Sequence, residues 1–101
     1  MLMVSPYELS VVSGGTTQQA LVGGVGPVKL SLEYLVESGA TGPTITVTTT
    51  SSGTSSTWTE SPTASGYQVK PDFMNVAPGT TVTVGASGAT ARLRWCESFC
   101  C

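Results

Sequence analysis

Val28-Lys29-Leu30-Ser31-Leu32-Glu33-Tyr34-Leu35-Val36-Glu37 is the stretch that decides the fold. Val28, Leu30, Leu32, Tyr34 and Val36 fall on one side at a period of two. Lys29, Ser31, Glu33 and Glu37 fall on the other, with Leu35 as the exception. Side chains alternate across a strand but recur every 3.6 residues on a helix, so this run predicts a half-buried central strand.

Working outward, shorter segments repeat the pattern. Residues 8–13 place Leu9 and Val11 together, and 17–22 predict a strand that closes at Gly23-Gly24. Residues 43–50 turn Ile45 and Val47 inward and β-branched threonines outward, which suits a pleated surface. Residues 55–60 centre on Trp58, and 67–70 predict a short strand stopped by Pro71. Ala77-Pro78-Gly79 has the residues of a tight turn and leads into a strand over 80–84. Residues 89–97 set Ala91, Leu93 and Trp95 against Thr90, Arg92, Arg94 and Cys96. Within the Thr/Ser-rich stretch 41–63, Ser51-Ser52-Gly53-Thr54 predicts a hairpin tip. Seven or eight short antiparallel strands with no helix predict an all-β fold, a single small β-sandwich of immunoglobulin-like or jelly-roll-like winding. The expected organisation is an N-terminal arm at 1–7, the sandwich at 8–97 and a cysteine-containing tail at 98–101.

With 101 residues the chain makes one domain. A domain this size buries only about 60–68% of its unfolded surface, so it gains from a partner. Charged residues are 10% of the sequence, against about 25% in typical domains. The net charge is −2, and of the four basic residues only Arg92 and Arg94 lie close together. Phosphate neutralisation needs clustered cations, so no nucleic-acid partner is expected. No apolar stretch is long enough for a membrane-spanning helix, and no membrane partner is expected. Residues 1–6 have neither a basic region nor an apolar core of useful length. The expectation is synthesis in the cytoplasm without a signal peptide.

The chain has no histidine, which removes the usual general base and the commonest metal ligand. Glu33 and Glu37 lie about 13 Å apart along an extended strand, too far for a glycosidase pair. Gly23-Gly24-Val25-Gly26-Pro27 lacks the Lys and Ser/Thr of a phosphate loop. Cys96, Cys100 and Cys101 fall short of a four-ligand zinc site. They are read as free thiols, with an intermolecular disulfide through Cys100 and Cys101 as the alternative. No catalytic residue, cofactor or metal is expected, and the chain is read as a non-enzyme. Trp58 is read first as core, and second as the aromatic to test for sugar stacking.

The stretch 67–95, and within it Pro78-Gly79-Thr80-Thr81-Val82-Thr83-Val84, resembles the second half of immunoglobulin-like sandwiches found in bacterial and phage proteins. The likeness covers under a third of the chain, and the inter-sheet cysteine pair of antibody domains is absent. In size and in its weakly charged Ser/Thr/Gly texture the chain is similar to capsid decoration (cement) proteins of tailed phages. That resemblance implies a structural virion protein, a major capsid or other shell protein as partner, and a homo-oligomer, a trimer by preference. Met3, Tyr7, Trp58, Arg92 and Arg94 are the expected partner contacts, with the N-terminal arm and the Ser/Thr loop as docking elements. The competing expectation is a carbohydrate-binding or adhesive module.

Overall fold

The computed structural model describes residues 7–24, 26–64 and 66–97. They form β1 (Tyr7–Val11), β2 (Gln18–Leu21), β3 (Val28–Val36), β4 (Thr44–Ser51), β5 (Thr54–Glu60), β6 (Gly66–Val76), β7 (Thr81–Ser87) and β8 (Ala89–Trp95). The pairing is nested: β1 with β8, β2 with β7, β3 with β6 and β4 with β5, all antiparallel. The chain is therefore one long hairpin, rolled so that β3 also meets β8 and β4 also meets β7.

Two four-stranded sheets result, β1-β8-β3-β6 (sheet A) and β2-β7-β4-β5 (sheet B). This is a β-sandwich with the winding of a jelly roll. An immunoglobulin-like domain would lay its last two strands side by side in one sheet. Here β7 and β8 lie in opposite sheets, so the likeness of 67–95 stops at local sequence.

Gly88 makes the corner between them. It adopts φ 71°, and an added Cβ would lie 3.1 Å from the Pro43 Cα. Its N–H donates to the Ser13 Oγ at 2.8 Å, and its carbonyl accepts from the Glu37 N–H.

The alternation in β3 produces the core. Val28, Leu30, Leu32, Tyr34 and Val36 are all buried, and Leu35 points outward. Ala91, Leu93 and Trp95 of β8 join them, facing Ile45, Val47, Val82 and Val84 of sheet B. Each fully buried side chain of this kind contributes about 1.5–3 kcal/mol, which makes the inner faces the main source of stability.

β6 departs from expectation. Rather than stopping at Pro71 it runs on to Val76 through a bulge, where the register slips between the Leu30–Met74 and Leu32–Lys70 pairs. Because β6 is an edge strand, the missing proline N–H breaks no ladder. Asp72 in the bulge has φ 48°, and its N–H donates to the Ser31 Oγ. Between β4 and β5, Ser52 and Gly53 (φ 50° and 81°) form the two-residue turn whose twist matches a hairpin.

Two carboxylates clasp the layers. Glu60 on β5 accepts the Tyr34 hydroxyl at 2.8 Å and pairs with Lys70 at 3.3 Å, linking sheet B to sheet A. Glu97 accepts the Gly23 N–H at 2.7 Å and the Trp95 indole N–H at 3.0 Å, tying the end of β8 to the β2–β3 loop. Tyr7, expected in the arm, is the first residue of β1. Cys96 is disulfide-bonded, which replaces the free-thiol expectation for it. Met3, Cys100 and Cys101 lie outside the described residues.

Candidate functional site

With both inner faces consumed by the core, chemistry is left to the two outer faces and the sheet edges. The outer face of sheet A carries a compact ion cluster. Arg92 and Arg94 on the central strand β8 lie between Glu8 of β1 and Glu33 of β3. Arg94 meets Glu33 at 3.0 Å and Glu8 at 3.9 Å; Arg92 meets Glu8 at 3.7 Å and Glu33 at 4.0 Å. The Tyr67 hydroxyl also donates to Glu33.

These bonds set the protonation states. The Tyr67 hydrogen bond, and behind it the one from Arg94, hold the Glu33 carboxyl below the ordinary carboxylate range. The same Tyr67–Glu33 bond pushes the Tyr67 phenol up. A carboxylate held ionised between two guanidinium groups is a poor general acid. Two cations that already face two carboxylates also have little charge left for an anion. Arg92 and Arg94 therefore come together as expected, inside a neutral cluster.

Beside the cluster lie Leu35, Tyr67 and Val69, all more than half exposed and joined by the β3–β6 register. Leu35 and Tyr67, with Arg92 and Thr90, border an open hollow of about 310 Å³.

The outer face of sheet B has a different character. The register aligns Thr44, Thr46, Thr48 and Thr50 of β4 with Ser87, Gly85, Thr83 and Thr81 of β7. On the other flank Thr46, Thr48 and Thr50 meet Thr59, Thr57 and Ser55 of β5. Gln19 and Leu21 of β2 complete the row across the sheet. Strand geometry spaces such side chains about 6.7 Å along a strand and about 4.8 Å between strands. Among the described residues this face presents no charged side chain. Gly85 leaves an open hollow of about 270 Å³ in it, lined by Thr17, Thr46, Thr48 and Thr83.

The remaining expected contacts take structural positions. Trp58 is opposite Val47, on the inner side of β5, partly buried, with its ring 4.6 Å from that of Phe73. It packs against the core beside Phe73, in keeping with its reading as a core residue. Tyr7 stacks on Trp95 at 5.8 Å with about half of its surface exposed. Among the described residues no group of acidic, cysteine or histidine side chains is placed to hold a metal ion, and no helix is long and apolar enough to cross a membrane.

The chain matches no protein-family model, and no curated protein matches it significantly.

Proposed function

We propose that this chain is a structural protein of a virus particle, of the capsid-decoration kind, which works by laying a sheet face against an assembled shell. The observation that carries the proposal is the outer face of sheet B, a threonine surface with no charged side chain. Docking such a face desolvates no charge, and its hydroxyls can exchange water for partner groups. Charge depletion is also what distinguishes the buried centre of protein interfaces. The jelly-roll winding adds support by analogy only, since viral capsid domains use it and so do lectins. A clamp that binds assembled shell and not its free subunits stabilises the shell by mass action.

The test is a density gradient of lysate from cells that produce the parent particle. The protein should band with the shell, and Thr48→Glu should move it to the free fraction without changing its melting temperature. Wild-type protein that remains wholly in the free fraction overturns the proposal.

A further inference from the structure

The sheet edges are not equally protected. β6 is blunted by Pro71, by its bulge and by Lys70, and β1 is short and carries Glu8. β2 has only four residues. These are the usual devices that stop an edge from pairing with another chain. β5 is the least protected: its one charge, Glu60, sits at its last position and is paired with Lys70. Its seven residues, Thr54-Ser55-Ser56-Thr57-Trp58-Thr59-Glu60, contain no Pro, Gly, Lys or Arg, and it runs without a bulge along β4. Its other side pairs with no strand among the described residues. About half of its backbone N–H and C=O groups are thus left without a ladder partner.

We propose that β5 pairs antiparallel with β5 of a second copy, joining two sheets B edge to edge about a two-fold axis at Thr57. This does not rest on the particle reading. Full-length pairing fixes the centre: Thr57 faces Thr57, Ser56 faces Trp58, Ser55 faces Thr59 and Thr54 faces Glu60. No like charges meet. The single acid on each strand lies at opposite ends, already neutralised by Lys70 of its own chain.

Residues directly opposite in an antiparallel pair point to the same face. The outer side of the seam is therefore built from Ser55, Thr57 and Thr59 alone. Hydroxyl pairs of the same kind already form the β4–β5 seam, where Thr50 and Ser55 meet at 2.8 Å and Thr48 and Thr57 at 3.5 Å. A second copy thus repeats a seam this sequence already makes. The product is one eight-stranded sheet, β2-β7-β4-β5-β5-β4-β7-β2, with a continuous threonine face.

Sedimentation velocity decides it, with wild type, Thr57→Lys, Thr57→Glu, an equimolar mixture of the two, and Gln19→Lys on the far edge as control. Wild type and Gln19→Lys should be dimers. Each Thr57 variant alone should be monomeric, with dimer affinity weakened more than about tenfold because like charges meet at the axis. The mixture should recover the dimer, which a merely structural role for Thr57 would not produce. Wild type that is monomeric at millimolar concentration overturns the proposal, as does a trimer. A dimer insensitive to both charges, or a mixture that stays monomeric, overturns it too. If a Thr57 variant fails to fold, amide exchange of wild-type β5 replaces it. Protection that is lost on dilution supports the pairing, and protection independent of concentration overturns it.

Discussion

Replacing Glu97 by alanine should cost more stability than its place at the end of the last strand suggests. One carboxylate oxygen accepts both the Gly23 N–H and the Trp95 indole N–H. The indole belongs to a side chain only 3% exposed, so without Glu97 its N–H is buried unpaired. A hydrogen bond to a charged group is worth about 1.5–3 kcal/mol, and leaving a buried donor unmet costs about 1–3 kcal/mol. The Gly23 N–H lies in a loop and can turn to water, so the sum comes to about 3 kcal/mol. At about 4–8 °C per kcal/mol for a domain of this size, the melting temperature should fall by about 15 °C. Glu97→Gln keeps an acceptor and should lose about 1 kcal/mol. The assay is urea unfolding under non-reducing conditions, so that the Cys96 disulfide is constant across variants. A double-mutant cycle isolates the cause: with Trp95→Phe there is no donor to orphan, and Glu97→Ala should cost about 1–2 kcal/mol less. A loss under about 0.5 kcal/mol, or strict additivity in the cycle, would refute the clasp.

Tyr34 should make the fold sensitive to alkali. Burial, and behind it the bond to Glu60, raises its phenol to about 12. The folded form therefore holds its proton more tightly, and the stability this gives is full below the unfolded pKa near 10 and lost as pH rises through about 12. At about 1.4 kcal/mol per unit the loss is about 2–3 kcal/mol, and Tyr34→Phe should abolish that slope in denaturant midpoints taken between pH 9 and 12. Glu33 behaves in the opposite sense: its lowered pKa stabilises above the unfolded value near 4.5 and is lost as pH falls through the folded one. Acid unfolding of Glu33→Gln should thus be shallower than that of wild type below pH 4.5; equal slopes would count against the cluster. Gly88→Ala should destabilise by more than about 1 kcal/mol in thermal melts, since its backbone is left-handed and a Cβ would crowd Pro43 and Ala40. Trp58→Ala should lower stability by about 2 kcal/mol through lost contact with Phe73 and with the core it packs against. Glycan-array binding that Trp58→Ala removes without any loss of stability would favour the sugar-binding reading over the particle proposal.

How far the sequence revealed the fold depended on how local each signal is. The alternation from Val28 to Val36 is complete within nine residues, and the buried set matches it position by position. The turn at Ser52-Gly53 was equally visible, because two-residue hairpins demand left-handed backbone there. Strand order was not, since joining β1 to β8 and β2 to β7 depends on contacts across most of the chain. Pro71 misled for a related reason. It ends a central strand but not an edge strand, and edge status is a property of the finished sheet. The candidate surface divides the same way. Outward threonines on 44–50 were legible from their period. That Arg92 and Arg94 stand between Glu8 and Glu33 was not, although all four sit on polar faces of their segments. Glu97 gave no signal at all, because its two partners are a backbone amide 74 residues away and the indole of Trp95, two residues back.

Charge is distributed in a way that ties the two proposals together. Arg92, Arg94, Glu8 and Glu33 satisfy one another on sheet A, so a partner laid there would have to desolvate four ions whose mutual attraction is already spent. Sheet B asks for no such desolvation, but its hydroxyl and methyl contacts are individually weak. A single face of this kind binds loosely. Two faces made coplanar by the β5 seam engage a repetitive surface together, and the second contact is then intramolecular, which raises avidity by about 10²–10⁴ without any new chemistry. Shells are repetitive, whereas free shell subunits are not, so a dimer gains selectivity for the assembled state that a monomer lacks. Thr57→Lys should on this argument reduce shell binding far more than one added charge at the sheet margin would, and the equimolar mixture with Thr57→Glu should restore it. If the mixture recovers the dimer but not the banding with shell, the seam stands and the particle proposal falls.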